Sequence, residues 1–393
     1  MMKQTPLAVF DEKQSLSTEE CDECLFTTRK DFTGFKNQSL ARDIASRIRS
    51  KDIFFSLEFL PPRNHFGEIR LLERLESIQD GGPLFCSVTW HSAGTVPDSK
   101  TPSVRLAASM ATSFNFHTML HLAANELTKD QVMSILRQAQ LNGVRTILAL
   151  RGDRTPGWQC PENGFQHAVD LVHFIREKFG DIFTIGVAGY PSGHYEAPSY
   201  YHDLRFLKEK VDAGADFVIS QIFYSAKIFM KFYKDCKTIG INVPVIPGIL
   251  PILSYSSFIR IANLCRLEIP EEITNCLLRI KDNEKSIINF GIYFAVNLAK
   301  DILQTGNVPA AHFYTLNREK PIVSICKQLG LWAEELPRYV MCPKDTNKAD
   351  LEESSILYLT KNGCRILLKY SISSDSNEYS NIYLYKGENK NER

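Results

Sequence analysis

Short apolar runs rich in β-branched and aromatic residues recur along the chain, and longer amphipathic stretches separate them. The eight runs cover residues 53–59, 84–90, 117–122, 145–150, 183–188, 216–222, 243–248 and 309–315. Most are apolar at nearly every position, which is typical of strands buried on both faces of a parallel sheet. The pattern therefore predicts eight parallel strands.

The stretches between the runs have the apolar spacing of helices and end at glycines. Four of them cover residues 128–142, 165–179, 200–213 and 226–239, and they stop at Gly143, Gly180, Gly214 and Gly240. Alternating strands and helices indicate βαβ units, and eight units predict a closed (β/α)8 TIM barrel, an α/β fold, rather than an open doubly wound sheet. Between the seventh and eighth strands, about two extra helices are predicted near residues 258–264 and 286–303.

The pattern divides the chain into a polar N-terminal arm at residues 1–45, the barrel at 46–336 and a short C-terminal extension at 337–393. In the extension, residues 356–360 and 364–370 flank a Lys-Asn-Gly turn that ends at Gly363, which predicts a hairpin. Residues 382–385 predict a third strand. We therefore expect a small β appendage after the barrel.

Composition and charge argue against several classes of partner. Hydrophobic residues make up 44% of the chain, charged residues make up 23%, and the formal net charge is +1. This balance favours a globular protein that binds neither nucleic acid nor an anionic membrane surface. The arm is acidic, unlike a secretory or transit peptide, and no stretch reaches about 18 apolar residues. We therefore expect a cytoplasmic protein.

Polar side chains follow the predicted strands at the ends where a (β/α)8 barrel carries its chemistry. In chain order they are Glu58; Thr89, Trp90 and His91; His121; Arg151, Gly152 and Asp153; Tyr190 and His194; Gln221; and Tyr314 and Arg318. Seven of the eight strands contribute, whereas unrelated residues would scatter over both rims. A single glutamate or histidine at such a place is more often a surface or core residue, so the prediction of an active site depends on the whole set.

Metal and Rossmann motifs do not accompany this set. Three histidines at the rim raise the reading of a metal-dependent hydrolase, but such a barrel commonly has a His-x-His pair, and the sequence contains none. Cys21 and Cys24 form a CxxC pair with no second pair at zinc-ligand spacing. No GxGxxG or GxxxxGK[ST] motif occurs, so a dinucleotide would not bind through a Rossmann turn. We expect no metal site.

Several segments resemble the motifs of one enzyme family. They are SLEFLPPR at residues 56–63, VTWHSAG at 88–94, ILALRGD at 147–153, VAGYP at 187–191, PGILP at 247–251 and HFYTLNR at 312–318. Together they resemble the methylenetetrahydrofolate reductases over residues 52–332, in order. The Trp90-His91 and Pro62-Arg63 pairs resemble eukaryotic members.

The resemblance implies a barrel that holds FAD and uses NAD(P)H as co-substrate to reduce methylenetetrahydrofolate to methyltetrahydrofolate, in one-carbon metabolism and methionine synthesis. The residues implied in flavin binding are Thr89, His121, Arg151, Gly152, Asp153, Ala168, Tyr190, His194, Asp203 and Lys210. The residues implied in folate binding are Glu58, Asp153, Gln221 and Arg318. Folate and NAD(P)H are the implied partners, and whether the chain forms a homo-oligomer is left open.

Glu58 and Asp153 suit the catalytic steps of that reaction. The five-membered ring of the folate must open to an iminium cation before hydride adds, and opening requires a proton on the departing nitrogen. A carboxylic acid such as Glu58 can donate this proton, and a carboxylate such as Asp153 can stabilise the cation. Arg151 and Lys210 are suited to pairing with a pyrophosphate.

Four positions depart from the family pattern. Ala123 replaces a threonine, His167 a tyrosine, Ile222 an aromatic residue and Leu60 a phenylalanine. Every acid and base is kept, so these changes bear on affinity more than on reaction type. They leave open a non-catalytic paralogue that binds folate or flavin. The other alternative is a different flavin barrel oxidoreductase, such as a proline dehydrogenase-like enzyme, which would carry a pair of arginines late in the chain.

The segment after the barrel is short compared with that of many eukaryotic relatives, which carry a C-terminal domain about as large as the barrel that binds S-adenosylmethionine. About 60 residues follow Trp332, which is near the lower limit for an independent core. The sequence therefore predicts no full regulatory domain and no inhibition by S-adenosylmethionine.

Overall fold

The structure is a computed structural model, and it describes the chain in four long stretches and three short strands. The stretches are residues 39–91, 101–114, 116–154 and 157–333, and the strands are residues 356–359, 365–369 and 383–386. Cys21, Cys24 and the SAG part of the VTWHSAG motif lie outside the described residues.

Strands and helices alternate from β1 to the last helix of the barrel. The strands are β1 (Phe54–Phe59), β2 (Phe85–Val88), β3 (Thr118–Ala123), β4 (Thr146–Leu150), β5 (Thr184–Gly189), β6 (Phe217–Ser220), β7 (Val245–Ile246), β8 (Gly248–Ile249) and β9 (Ala310–Tyr314). The helices are α1 (Leu40–Ser50), α2 (His65–Asp80), α3 (Pro102–Ser113), α4 (Lys129–Leu141), α5 (Ala168–Phe179), α6 (Tyr200–Asp212), α7 (Ala226–Thr238), α8 (Tyr255–Leu264), α9 (Glu271–Ile280), α10 (Glu284–Leu303) and α11 (Glu319–Gln328).

The strands form one parallel sheet in the order β7-β6-β5-β4-β3-β2-β1-β9-β8. The sheet closes because β7 pairs with β6 while β8, one residue further along the chain, pairs with β9. The prediction of a (β/α)8 barrel is confirmed, and one strand differs. The predicted strand at 243–248 is divided into β7 and β8 around Pro247, since proline has no N–H to donate to a sheet ladder.

The helices follow the cap and stop signals of the sequence, with one addition. Thr128 and Gln131 form a capping box at the start of α4, and Gly180 ends α5 with a positive φ of 55°. Between β8 and β9 there are three helices where about two were predicted. The additional helix, α9, follows Pro270, is ten residues long and buries Ile273 and Leu277.

Helix α1 closes the base of the barrel, at the N-terminal ends of the strands. Leu40 and Ile44 are buried against Phe54, Met119 and other apolar residues that point into the base of the barrel. The predicted boundary between arm and barrel, at residue 45, falls inside this helix. The described chain thus packs against the barrel from the first residue of α1.

The extension contains three strands, β10 (Ile356–Leu359), β11 (Arg365–Lys369) and β12 (Tyr383–Lys386). They form an antiparallel sheet in the order β10-β11-β12, which confirms the predicted β appendage. Among the described residues, one helix, α10, is long and apolar enough to cross a membrane. Core helices of globular proteins pass the same test, and α10 buries Ala295, Leu298 and Ile302 in the protein.

Candidate active site

A cleft of about 1290 Å³ opens at the C-terminal ends of the barrel strands. Twelve of the thirteen residues implied in flavin or folate binding line it, and Arg318 does not. All four departures from the family pattern also line the cleft, at Leu60, Ala123, His167 and Ile222. The barrel therefore brings together residues that are spread over about 160 positions of sequence.

Glu58 lies at the end of β1, and each of its carboxylate oxygens faces a polar side chain. Thr89 Oγ1 donates a hydrogen bond to Glu58 Oε1 at 2.7 Å. Oε2 lies 3.5 Å from His312 Nε2 and 3.6 Å from His121 Nε2. Because these neighbours come from the ends of β2, β3 and β9, the closed sheet is what assembles the group.

Burial raises the pKa of the Glu58 carboxyl, but the charge of His121, the hydrogen bond and charge of His312 and the hydroxyl of Thr89 together lower it below its ordinary value. Burial also lowers the pKa of His121 in spite of the nearby carboxylate, so His121 is neutral at neutral pH. The hydroxyl of Thr89 and the ring of His312 are the hydrogen-bonding partners among the groups that lower the pKa of Glu58.

Across the cleft, the Arg-Gly-Asp segment that follows β4 is held by side chains of two other loops. Arg151 Nη2 forms an ion pair with Glu196 at 2.7 Å, and Asn125 Nδ2 donates to the Asp153 carbonyl at 2.8 Å. Gly152 has a φ of 93°, and a Cβ at this position would lie 2.3 Å from Asn125 Oδ1. The segment therefore requires glycine, and it brings the backbone close to any bound group.

The wall formed by β5 and α6 holds a half-buried lysine, Lys210, near a buried aspartate, Asp203. Lys210 Nζ donates to the Ala188 carbonyl at 2.7 Å. Burial lowers the pKa of Lys210 to about 8, although Asp203 opposes the shift. Burial raises the pKa of Asp203, which Lys210 and the His194 backbone oppose. Tyr190 lies at the same wall, its ring edge-on to that of His194 with centroids 4.7 Å apart.

The remaining predicted residues have fewer contacts. Ala168 is the first residue of α5, and Gln221 directly follows β6. Arg318 lies outside the cleft lining, with a half-exposed side chain whose Nη1 is 3.5 Å from the Leu253 carbonyl. The structure therefore assembles the predicted flavin set and leaves Arg318 at the periphery.

A comparison with protein-family models identifies the family of this chain. The model of the family "Methylenetetrahydrofolate reductase" matches residues 43–330, which is most of the chain. The chain belongs to this family. The matched region begins within α1 and ends just after α11, so it coincides with the barrel.

Individual methylenetetrahydrofolate reductases show the same relationship. A "Probable methylenetetrahydrofolate reductase (NADPH)" of Caenorhabditis elegans is 45% identical over 291 residues, which are 73% of this chain and 44% of that protein. A "5,10-methylenetetrahydrofolate reductase" of Salmonella typhimurium is 35% identical over 295 residues, which are 75% of this chain and 95% of that protein. The chain thus spans about half the length of its eukaryotic relatives and nearly all of the bacterial one.

A solved structure shares the fold. An uncharacterized protein from Clostridium thermocellum, which binds two copies of 5-methyl-5,6,7,8-tetrahydrofolic acid, superposes with a TM-score of 0.51 at 13% identity. The superposition covers 73% of this chain and 97% of that one. At this identity the likeness concerns the barrel alone.

Three residues of the site escaped the sequence-based prediction: His312, Glu196 and Asn125. His312 is fully buried in β9, two residues before Tyr314, so the alternation of a strand could have placed both side chains inside the barrel. Glu196 and Asn125 follow β5 and β3 in loops, and no local pattern indicates that they contact the Arg-Gly-Asp segment.

Proposed function

We propose that this protein is a flavin-dependent reductase that converts 5,10-methylenetetrahydrofolate to 5-methyltetrahydrofolate with NAD(P)H as co-substrate. The observation that carries the proposal is the buried Glu58 carboxyl, which faces the same cleft as the Arg-Gly-Asp segment and Lys210. Glu58 can supply a proton to a substrate, and the Arg-Gly-Asp segment and Lys210 can hold an anionic cofactor beside that substrate. Family membership supports the same assignment.

The residues of the cleft fit FAD, which supplies a hydride to the substrate when it is bound. Arg151 and Lys210 provide two cations for the pyrophosphate. Gly152 lets the backbone approach closely, and His121 Nε2 is a buried polar atom with no hydrogen-bond partner among the described residues. The residues that would hold FAD are Thr89, His121, Arg151, Gly152, Asp153, Ala168, Tyr190, His194, Asp203 and Lys210.

The proton for ring opening is assigned to Glu58. In the resting site its lowered pKa keeps the carboxyl ionised at neutral pH. Bound aromatic rings would exclude water from the cleft, and loss of solvation moves a carboxyl pKa upward, so Glu58 takes up its proton as the site fills. Asp153 remains available as the carboxylate that stabilises the iminium cation.

Gln221 and Arg318 complete the proposed folate site. Gln221 lines the cleft next to the β6 end and offers both a donor and an acceptor to a substrate ring. Arg318, at the periphery, has an exposed guanidinium that can pair with substrate carboxylates.

The test is reconstitution of the purified full chain with FAD, followed by turnover. We expect a flavin absorbance spectrum that NAD(P)H bleaches and that methylenetetrahydrofolate restores, with methyltetrahydrofolate detected by mass spectrometry. A protein that binds FAD and folate but never forms the product would support the non-catalytic paralogue. Protein that cannot bind FAD at all would overturn the proposal. A cytoplasmic location belongs to the same proposal, and microscopy of the tagged full chain tests it.

A further inference from the structure

His312 is a fully buried histidine whose two ring nitrogens both have polar neighbours. It lies in β9, directly opposite Ser56 of β1 in the register of the parallel pair. Ser56 Oγ is 2.8 Å from His312 Nδ1, and Glu58 Oε2 is 3.5 Å from His312 Nε2. The imidazole thus bridges two residues of the neighbouring strand, one buried and one at the cleft.

Aromatic neighbours fix the plane of this ring. Phe85 stacks on His312 with ring centroids 5.9 Å apart and an interplanar angle of 14°. Tyr314 meets the ring edge-on at 5.3 Å, and its own hydroxyl donates to the Ser220 carbonyl at 2.9 Å. Because the ring is packed on these sides and fully buried, it cannot turn away from Glu58 without disturbing the core.

The proton positions on the imidazole follow from the charge of its neighbour. An ionised carboxylate only accepts hydrogen bonds, so Nε2 carries the proton that faces Glu58. Nδ1 is then an acceptor, and the Ser56 hydroxyl donates to it. In this arrangement each oxygen of Glu58 has a donor, Thr89 on one and His312 on the other.

We propose that His312 is a positioning residue: held by Ser56, it fixes the Glu58 carboxyl toward the cleft and stabilises the carboxylate that remains after proton donation. The inference deepens the proposed function, because it assumes that Glu58 is the acid. A fully buried histidine that is hydrogen-bonded to a serine could have a purely structural role in the core. What assigns the further role is the second nitrogen, which faces the carboxylate rather than another core group.

The groups that face Glu58 come from three strands. The titratable ones are His121 of β3 and His312 and Tyr314 of β9, and Thr89, which follows β2, is a neutral donor. Removing the His312 donor leaves the carboxylate with less stabilisation, so Glu58 should keep its proton to a higher pH. This upward shift in the pKa of Glu58 is opposite to the shift expected from simple loss of packing, because exposure to water would let the carboxyl ionise more easily.

The experiment is a titration of the Glu58 carboxyl by infrared difference spectroscopy of the full chain, with Glu58→Gln used to assign its band. The variants are His312→Leu, which removes both ring nitrogens, His312→Gln, which returns an N–H near the position of Nε2, and Ser56→Ala. We expect His312→Leu to raise the midpoint by about one pH unit and Ser56→Ala by about half as much. His312→Gln should return it toward the wild-type value.

The same variants are then followed in stopped-flow measurements of folate reduction. The alkaline limb of the rate profile should move upward with the carboxyl midpoint, while reduction by NAD(P)H stays unchanged. An unshifted midpoint in folded His312→Leu would overturn the inference. If that variant does not fold, an unshifted midpoint in Ser56→Ala has the same consequence. A wild-type protein that titrates as expected but never reduces folate would instead overturn the proposed function and leave the role of His312 in fixing the carboxyl intact.

Discussion

The two ends of the barrel interior are built from the same strands yet differ completely in chemistry. On β1 the inward positions Phe54, Ser56 and Glu58 pass from an apolar ring to a hydroxyl and then to a carboxylate. On β9 the positions opposite them are Ala310, His312 and Tyr314. The change from core to active site takes four residues, or about 13 Å of strand.

The base of the barrel, unlike the polar rim, has an apolar interior. Its interior cluster is apolar, and α1 covers it with Leu40 and Ile44. Polar contacts at the base join α1 to the barrel, with His117 Nε2 at 2.9 Å from an Asp43 oxygen and Ser39 Oγ at 3.0 Å from Thr184 Oγ1. The comparison teaches that residues for stability and residues for chemistry occupy different positions along each strand. Substitutions at the rim should therefore lower activity, and substitutions at the base should lower the free energy of unfolding.

The largest effect is expected at the rim, from Glu58→Gln. The amide keeps the shape of the side chain but has no proton to transfer, so folate reduction should fall by about 10²–10⁴-fold. Flavin reduction by NAD(P)H needs no proton on a folate nitrogen and should stay near the wild-type rate. Stopped-flow absorbance of the two half-reactions, run separately, measures both. Equal losses in the two would show that Glu58 supports flavin binding or structure instead.

At the base, Leu40→Ala should produce the complementary result. The residue is 1% exposed, and truncation leaves a cavity beneath the barrel that costs about 2–3 kcal/mol in the free energy of unfolding. Flavin affinity should not change, since the cavity lies at the far end of the strands. Urea unfolding and FAD titration measure the two quantities. Leu141→Ala, on the exposed face of α4, is the matched control and should change neither.

Gly152→Ala tests whether the rim depends on backbone shape as well as on charge. The new Cβ would collide with Asn125 and displace the Arg-Gly-Asp segment, so FAD affinity should fall by about tenfold. Gly157→Ala is the control, because Gly157 also has a positive φ, of 80°, but the new Cβ would meet no atom within 4 Å among the residues that the structure describes. Equal losses in the two variants would mean that left-handed strain alone, rather than the contact with Asn125, explains the effect.

The smallest effect concerns the pH dependence of FAD binding through Lys210. With a pKa of about 8, the lysine is charged at pH 7 and mostly neutral at pH 9. A neutral amine attracts pyrophosphate less, so the FAD dissociation constant should rise by about three- to tenfold across this interval. Fluorescence titration measures it. Lys210→Gln should bind more weakly at pH 7 and lose most of the pH dependence, and a variant with an unchanged pH profile would assign the effect to another group.

The sequence predicted the barrel well because buried strands and glycine stops are local signals. It also predicted most of the cleft, since the strand ends of a barrel must meet at one rim. Ser56 and His312 show the limit of prediction from local sequence patterns. Their pairing depends on β1 and β9 lying side by side, a contact between residues 256 positions apart, which no local pattern reports.

Electrostatics was the least predictable part of the site. From the sequence, Glu58 was expected to be a general acid, a role that favours a raised pKa. The structure instead gives it a lowered pKa, because three strands bring donors and imidazoles around it. The direction of such a shift depends on the balance between burial and neighbours, and the neighbours are known only after folding. Arg318 is similar, since its motif says nothing about how far its side chain lies from the cleft.

The division of the seventh strand at Pro247 affects how readily the barrel sheet should open locally. Pro244 and Pro247 accept hydrogen bonds from the Val218 and His312 amides, but neither can donate one back. With two residues in β7 and two in β8, this seam has the fewest ladder bonds in the ring, and its amides should exchange with deuterium before those of β3 and β4. The seam lies between Ser220 and Tyr314. Because this seam adjoins the cleft wall, we expect local opening at β7 and β8 to loosen that wall, which the exchange of their amides would report.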